Sequence, residues 1–157
     1  MTPTHAGALQ IVRESLAFMR ASVDDLPQEA LDWKPLPTAN SATVLVHHAV
    51  TSCRFFLSAG SGKPGSMADY RNGERAAAFR ASGSSKAELL SMLDSFSAEA
   101  EAILGAGTEA DLSATIDLAT EGVPVRSGAG TLFAAVGHLR EHVGHLQLMH
   151  DLWLAKP

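Results

Sequence analysis

The chain has one cysteine, Cys53, one tyrosine, Tyr70, and few aromatic residues, 6% in all. A lone cysteine excludes an internal disulfide framework and points to a reducing setting. Basic residues are also sparse: 12 Lys and Arg stand against 17 Asp and Glu, for a net charge of −5. There is no dense basic run, and neutralising phosphates needs clustered Lys and Arg, so no nucleic-acid surface is expected. No apolar run reaches the ~18 residues that cross a bilayer, so no membrane partner is expected. The opening Met1-Thr2-Pro3-Thr4-His5 lacks the basic stretch and apolar core of a secretory signal. Together these absences predict a cytoplasmic protein. Cys53 lies among apolar residues and reads as a small buried side chain, not a nucleophile.

What is present is helical periodicity. Hydrophobic residues make up 46% of the 157, enough for one domain over residues 1–157 with a substantial core. Leu9, Val12, Leu16, Met19 and Val23 alternate spacings of three and four, which predicts a first helix from Thr4 to Val23. Asp24-Asp25-Leu26-Pro27 ends it, because Pro27 disfavours helical geometry in the residue before it. An extended connector follows, which Trp33 is expected to pack onto the bundle. A second helix starts near Asn40 or Ser41, either a good cap, and runs to Gly60. Leu45, His48, Ser52 and Phe56 share one of its faces. Val46, Val50, Cys53 and Leu57 lie on the other, so both sides need covering, by other helices or by a second subunit.

Residues 61–85 read mostly as loop, with a short helix over Glu74 to Arg80. So long a connection suits either a site wall or a surface excursion. Asp69, Tyr70, Arg71 and Arg75 on it are candidates to enter a site. Ser85 and Glu88 form a capping box for a third helix to Leu104, with Leu89, Leu93, Phe96, Ala100 and Ile103 as its core stripe. Ala114 to Leu118 alternates like a strand, with Val123-Pro124-Val125 as its expected partner. A fourth helix, Thr131 to Leu154, carries Leu132, Val136, Leu139, Val143, Leu146, His150 and Trp153 on its core stripe. Four long helices with a long connection between the second and third give an all-α four-helix bundle.

The chemistry is in the histidines. His138, His142 and His145 fall on one face of the fourth helix, turned roughly 80° from its core stripe, where a cleft would open. Imidazoles four apart on a helix can reach one divalent ion. His48 on the second helix offers a third ligand. The alternative is a polar helix face that happens to carry histidines. His150, on the apolar stripe, reads as a partly buried core residue or one that backs the ligands.

Trp33-Lys34-Pro35, then Asn40-Ser41, then His48 resembles the first motif of the DinB-like (damage-inducible) superfamily. His138-x-x-x-His142-x-Gly144-His145 resembles its last helix. The resemblance runs from about Thr4 to Trp153. It implies a four-helix bundle, commonly a homodimer, with a divalent metal held by His48, His138 and His142. It places His145 beside the site; on the helix-face reading, His145 and His150 would orient ligands or contact substrate. The related thiol-dependent S-transferases and mycothiol-dependent maleylpyruvate isomerases imply a metal that activates a low-molecular-weight thiol. This chain departs from them: they often have Glu where His138 stands and Arg where His150 stands.

Three classes of function follow. One is a metalloenzyme, a thiol transferase or hydrolase acting on a small molecule. Another is a bundle whose ion is structural or sensory. The third is an interaction scaffold without metal. Imidazole ligands suit Zn and Ni among several ions.

Overall fold

Four long helices carry the core because each has one apolar stripe to bury. The computed structural model describes residues 1–120 and 122–156; Glu121 and Pro157 lie outside the described residues. The long helices are α1 (Pro3–Asp25), α2 (Ala42–Gly60), α5 (Lys86–Ala106) and α7 (Gly128–Leu154). Packing runs around a ring: α2 against α7, α7 against α1, α1 against α5, and α5 against α2. Thus α1 and α2, consecutive in sequence, lie diagonally, and their connector crosses the bundle end. Trp33 fastens that connector, its ring 5.5 Å from Trp153 in an edge-on pair.

The predicted stripes are the buried ones. Leu9, Val12, Leu16, Met19 and Val23 on α1 are buried, as are Leu132, Val136, Leu139, Val143 and Leu146 on α7. On α5 the stripe is Leu89, Leu93, Phe96 and Ala100, but Leu104 completes it. Ile103 is only partly buried against the core. Helix ends also follow the sequence. The Ser41 hydroxyl accepts from the Val44 N–H, and Ser85 and Glu88 form the capping box. Leu26, held extended ahead of Pro27, ends α1. Both sides of α2 are covered within the chain, by α7, α5 and α4 (Ala76–Phe79). The apolar character of α2 therefore needs no second subunit.

Between α2 and α5 the chain is more helical than the sequence reading gave. An α-helical turn, α3 (Met67–Tyr70), continues into a π-helical turn (Arg71–Arg75) and then α4. Its start was readable: Ser66 caps the Asp69 N–H, a hydroxyl three residues ahead of an acid. The small ribbon also differs. β1 (Thr115–Ile116) pairs antiparallel with β2 (Arg126–Ser127), not with Val123 to Val125. Pro124 has no N–H to give a ladder, so the pairing forms beyond it. A short helix, α6 (Glu109–Ser113), precedes β1, capped by Thr108. At the far end of the ribbon Ser127 caps α7, its hydroxyl accepting from the Gly130 N–H.

Candidate metal centre

Two helices bring the site together, and at one crossing their backbones approach closely through glycines. A Cβ on Gly60 would lie 2.9 Å from the Gly128 carbonyl oxygen, and one on Gly128 would lie 2.9 Å from that of Gly60. The C-terminal end of α2 therefore meets the N-terminal end of α7, and the pair run antiparallel. His48 stands about 18 Å back along α2 from this crossing, and His138 and His142 stand about 15 and 21 Å along α7. The three histidines so arrive at one level.

The structure brings together His48, His138 and His142. One ring nitrogen from each lies within 4.8 Å of the others. Ring centroids are 5.2 Å apart for His48 and His138, 4.9 Å for His48 and His142, and 4.4 Å for His138 and His142. His48 is 6% exposed and His142 8%. His47 points elsewhere, its Nε2 3.2 Å from the Ser84 hydroxyl. Burial first, then neighbouring His138 and Arg75, push the His48 pKa down to about 4. Burial, then His138, His48 and His145, push His142 down to about 3. His138 is lowered too, by burial first. All three rings are therefore neutral at neutral pH, the form that ligates.

The residues fit a divalent ion. Two imidazole nitrogens each about 2.0–2.1 Å from a tetrahedral Zn stand about 3.3 Å apart. The Nε2 atoms of His138 and His142 are 3.2 Å apart. Three convergent neutral rings at this spacing suit an ion.

Around the cluster lie two residues the sequence did not single out, Ser52 and Phe79, and one it offered as a candidate, Tyr70. Ser52, one turn beyond His48, places its hydroxyl 3.3 Å from His138 Nδ1. Phe79 covers His48, with ring centroids 4.6 Å apart, and is 37% exposed. Tyr70 is 6% exposed and stacks on Phe55 at 4.5 Å. Its hydroxyl is buried on the side of Ser52 and Thr51. Ser52 and His48 were read as sharing a face, which was the available signal for Ser52. Phe79 had none, since it lies far in sequence from both histidine motifs and on no long apolar stripe.

The remaining predicted residues separate. His145 is exposed, with its ring 5.5 Å from that of His142. It opens onto a cleft of about 260 Å³ lined also by Pro35, Asn40, Leu45, Leu148 and Met149. The cleft expected at the bundle edge is thus present, and Pro35 and Asn40 of the first motif line it. His150 is not brought to the cluster. Its Nε2 lies 2.6 Å from Asp25 and its Nδ1 3.1 Å from Asp151, on the α1 side of α7. Eight residues beyond His142 is about 12 Å along the helix and about 80° around it, which carries the ring off the site. Cys53 is fully buried, and burial pushes its thiol up to about 12, which removes it as a nucleophile. No described helix is long and apolar enough to cross a membrane.

Comparison with known proteins gives the same fold. A DinB-like protein from Bacillus subtilis superposes with a TM-score of 0.68 at 22% identity, over 94% of this chain and 93% of that one. The mycothiol-dependent maleylpyruvate isomerase superposes at 0.67 and 14% identity, over 93% of this chain. This chain spans only 63% of that enzyme's length. A histidine-to-alanine variant of the isomerase gives 0.64 at 16% identity, with the same coverage. No curated protein matches the sequence. The profile of the DinB superfamily matches residues 12–146, which takes in α2 and α5, parts of α1 and α7 and the three clustered histidines, and the chain belongs to that superfamily.

Proposed function

We propose that this chain binds one divalent metal ion, Zn or Ni, through His48, His138 and His142, and acts as a metalloenzyme on a small molecule. The observation that carries the reading is the convergence of three neutral, largely buried imidazole nitrogens within 4.8 Å, contributed by two helices. Three neutral ligands leave the ion its whole charge, and such an ion when bound supplies Lewis-acid activation of a thiol, a water or a carbonyl. The rest is done by the chain. Ser52 holds the His138 ring, and Phe79 keeps water off one face of His48. A cleft of about 260 Å³ borders the cluster through the His145 ring, which stands next to His142. The reaction is a thiol transfer or a hydrolysis. A low-molecular-weight thiol as co-substrate is supported by the fold shared with an isomerase named for its dependence on mycothiol.

Elemental analysis of untagged protein tests the reading. One equivalent of metal per chain is expected, lost in His142→Ala. Protein without metal that takes none up on dialysis against Zn or Ni would end it. A screen of thiol transfer and hydrolysis on the loaded protein then separates the two reactions. The second reading, a structural or sensory ion in a non-catalytic bundle, is favoured by Phe79 lying against His48, which narrows the approach. A chelator that strips the ion without unfolding the chain would count against a structural ion. A homodimer in the cytoplasm belongs to the same proposal. A monomer mass by light scattering would remove the dimer and leave the metal centre standing.

A further inference from the structure

Arg75 closes the π-helical turn over the histidine cluster. Its guanidinium carbon lies 4.7 Å from the centroid of the Phe79 ring, and that ring lies 4.6 Å from His48. One aromatic ring thus separates a cation from the candidate ligands. The π turn is what aims it. In a regular α-helix Arg75 would sit about 140° around from Tyr70. Hydrogen bonding from i to i+5 instead returns residues five apart to nearly the same side.

No described carboxylate pairs with it. Arg13, Arg20, Arg54 and Arg140 each meet an acid. Glu74, next to Arg75 in sequence, turns to Arg54 at 3.8 Å. A guanidinium resting on an aromatic face keeps its N–H edge for a planar anion. Three neutral imidazoles do nothing to cancel an ion's charge, so a bound ion and Arg75 together make an electropositive spot on a chain of net charge −5. Such a spot draws small anions.

We propose that Arg75 is a carboxylate anchor, so that the small molecule brought to the three-histidine centre is a carboxylic acid held by the Arg75 guanidinium at the edge of Phe79. This rests on the metal-centre reading above and adds the substrate class to it.

The test compares mercaptopropionate, with a thiol at one end and a carboxylate at the other, with its neutral amide. Calorimetric titration of zinc-loaded protein gives the ratio of their affinities. The acid is expected to bind about ten-fold tighter, the scale of one charge-assisted pair. Arg75→Gln should bring that ratio down towards the value set by the ion alone, with zinc content unchanged, and Arg75→Lys should restore part of it. Arg71→Gln, a charge lost from the same turn, should leave the ratio as in the wild type. An unchanged ratio in Arg75→Gln, or an equal fall in Arg71→Gln, would overturn the anchor. The metal-free protein gives an independent arm: the Arg75 Nε–H resonance should shift and saturate with mercaptopropionate and not with the amide. Protein that takes up no zinc sinks the metal centre, while the resonance still decides the anchor: a shift supports it and no shift rejects it.

Discussion

The Ser52 hydroxyl oxygen lies 3.3 Å from Nδ1 of His138. For His138 to offer its Nε2 lone pair to an ion, Nδ1 must carry the proton, and Ser52 is then its acceptor. Ser52→Ala removes that acceptor and frees the ring to turn. Metal affinity by chelator competition should fall about 10–100-fold. The nitrogen shifts of the His138 ring should show a mixture of tautomers in place of one. Wild-type affinity in the variant would mean that Ser52 does not orient the ligand.

The ligand set makes a sharper division. His48→Ala, His138→Ala and His142→Ala should each abolish stoichiometric metal at micromolar concentration. His47→Ala should retain it, since that ring bonds Ser84 and is turned about 100° from His48. His145→Ala should weaken binding or activity modestly, as its ring stands beside His142 on the solvent side. Stoichiometric loss of metal in His145→Ala at high free metal would promote it to a ligand.

The clustered histidines were legible because helical spacing fixes which residues share a face. His138 and His142 needed only their spacing of four, and His48 needed the family's first motif. The same arithmetic put His150 on the core stripe, where the ring is partly buried, but it could not give the partner, Asp25 on a neighbouring helix, that holds the ring. Nothing local to His150 announces a partner so distant in sequence. The segment that ends in Arg75 was legible only as candidates, because its π turn changes the spacing that face arguments assume. The ribbon slipped past Val123 to Val125 since strands of two residues carry almost no pattern.

His150 gives a pH dependence of known sign. Its hydrogen bonds to Asp25 and then Asp151 raise its pKa above the ordinary value, with burial opposing. A base whose folded pKa is raised adds stability that is whole below its unfolded value and lost as pH rises through the folded one. Urea midpoints of the wild type and His150→Gln should therefore differ most below about pH 6.5 and converge as the pH rises. Added salt should shrink the gap, because Asp25 and Asp151 are exposed. A gap that widens with pH would mean that the pair does not hold the proton.

Gly128 joins fold and site. An added Cβ there would meet the Asp111 carbonyl oxygen and stand 2.9 Å from that of Gly60, both backbone atoms that have no rotamer to yield. Gly128→Ala must push α7 away from α6 first and from α2 as well, and overpacking of this kind costs about 1–3 kcal/mol. The same push separates His48 from His138 and His142, so metal affinity should fall with stability although no ligand is touched. Gly137→Ala and Gly144→Ala are the controls, since a Cβ at either position meets nothing within 4 Å. In a helix interior each should be neutral or stabilising, by up to about 1 kcal/mol, with metal affinity unchanged. Urea unfolding of the metal-free proteins and chelator competition on the loaded ones measure the two effects separately. If Gly128→Ala loses stability and keeps full metal affinity, the glycine contact does not set the register of the two helices, and the level at which the histidines meet is fixed elsewhere in the bundle.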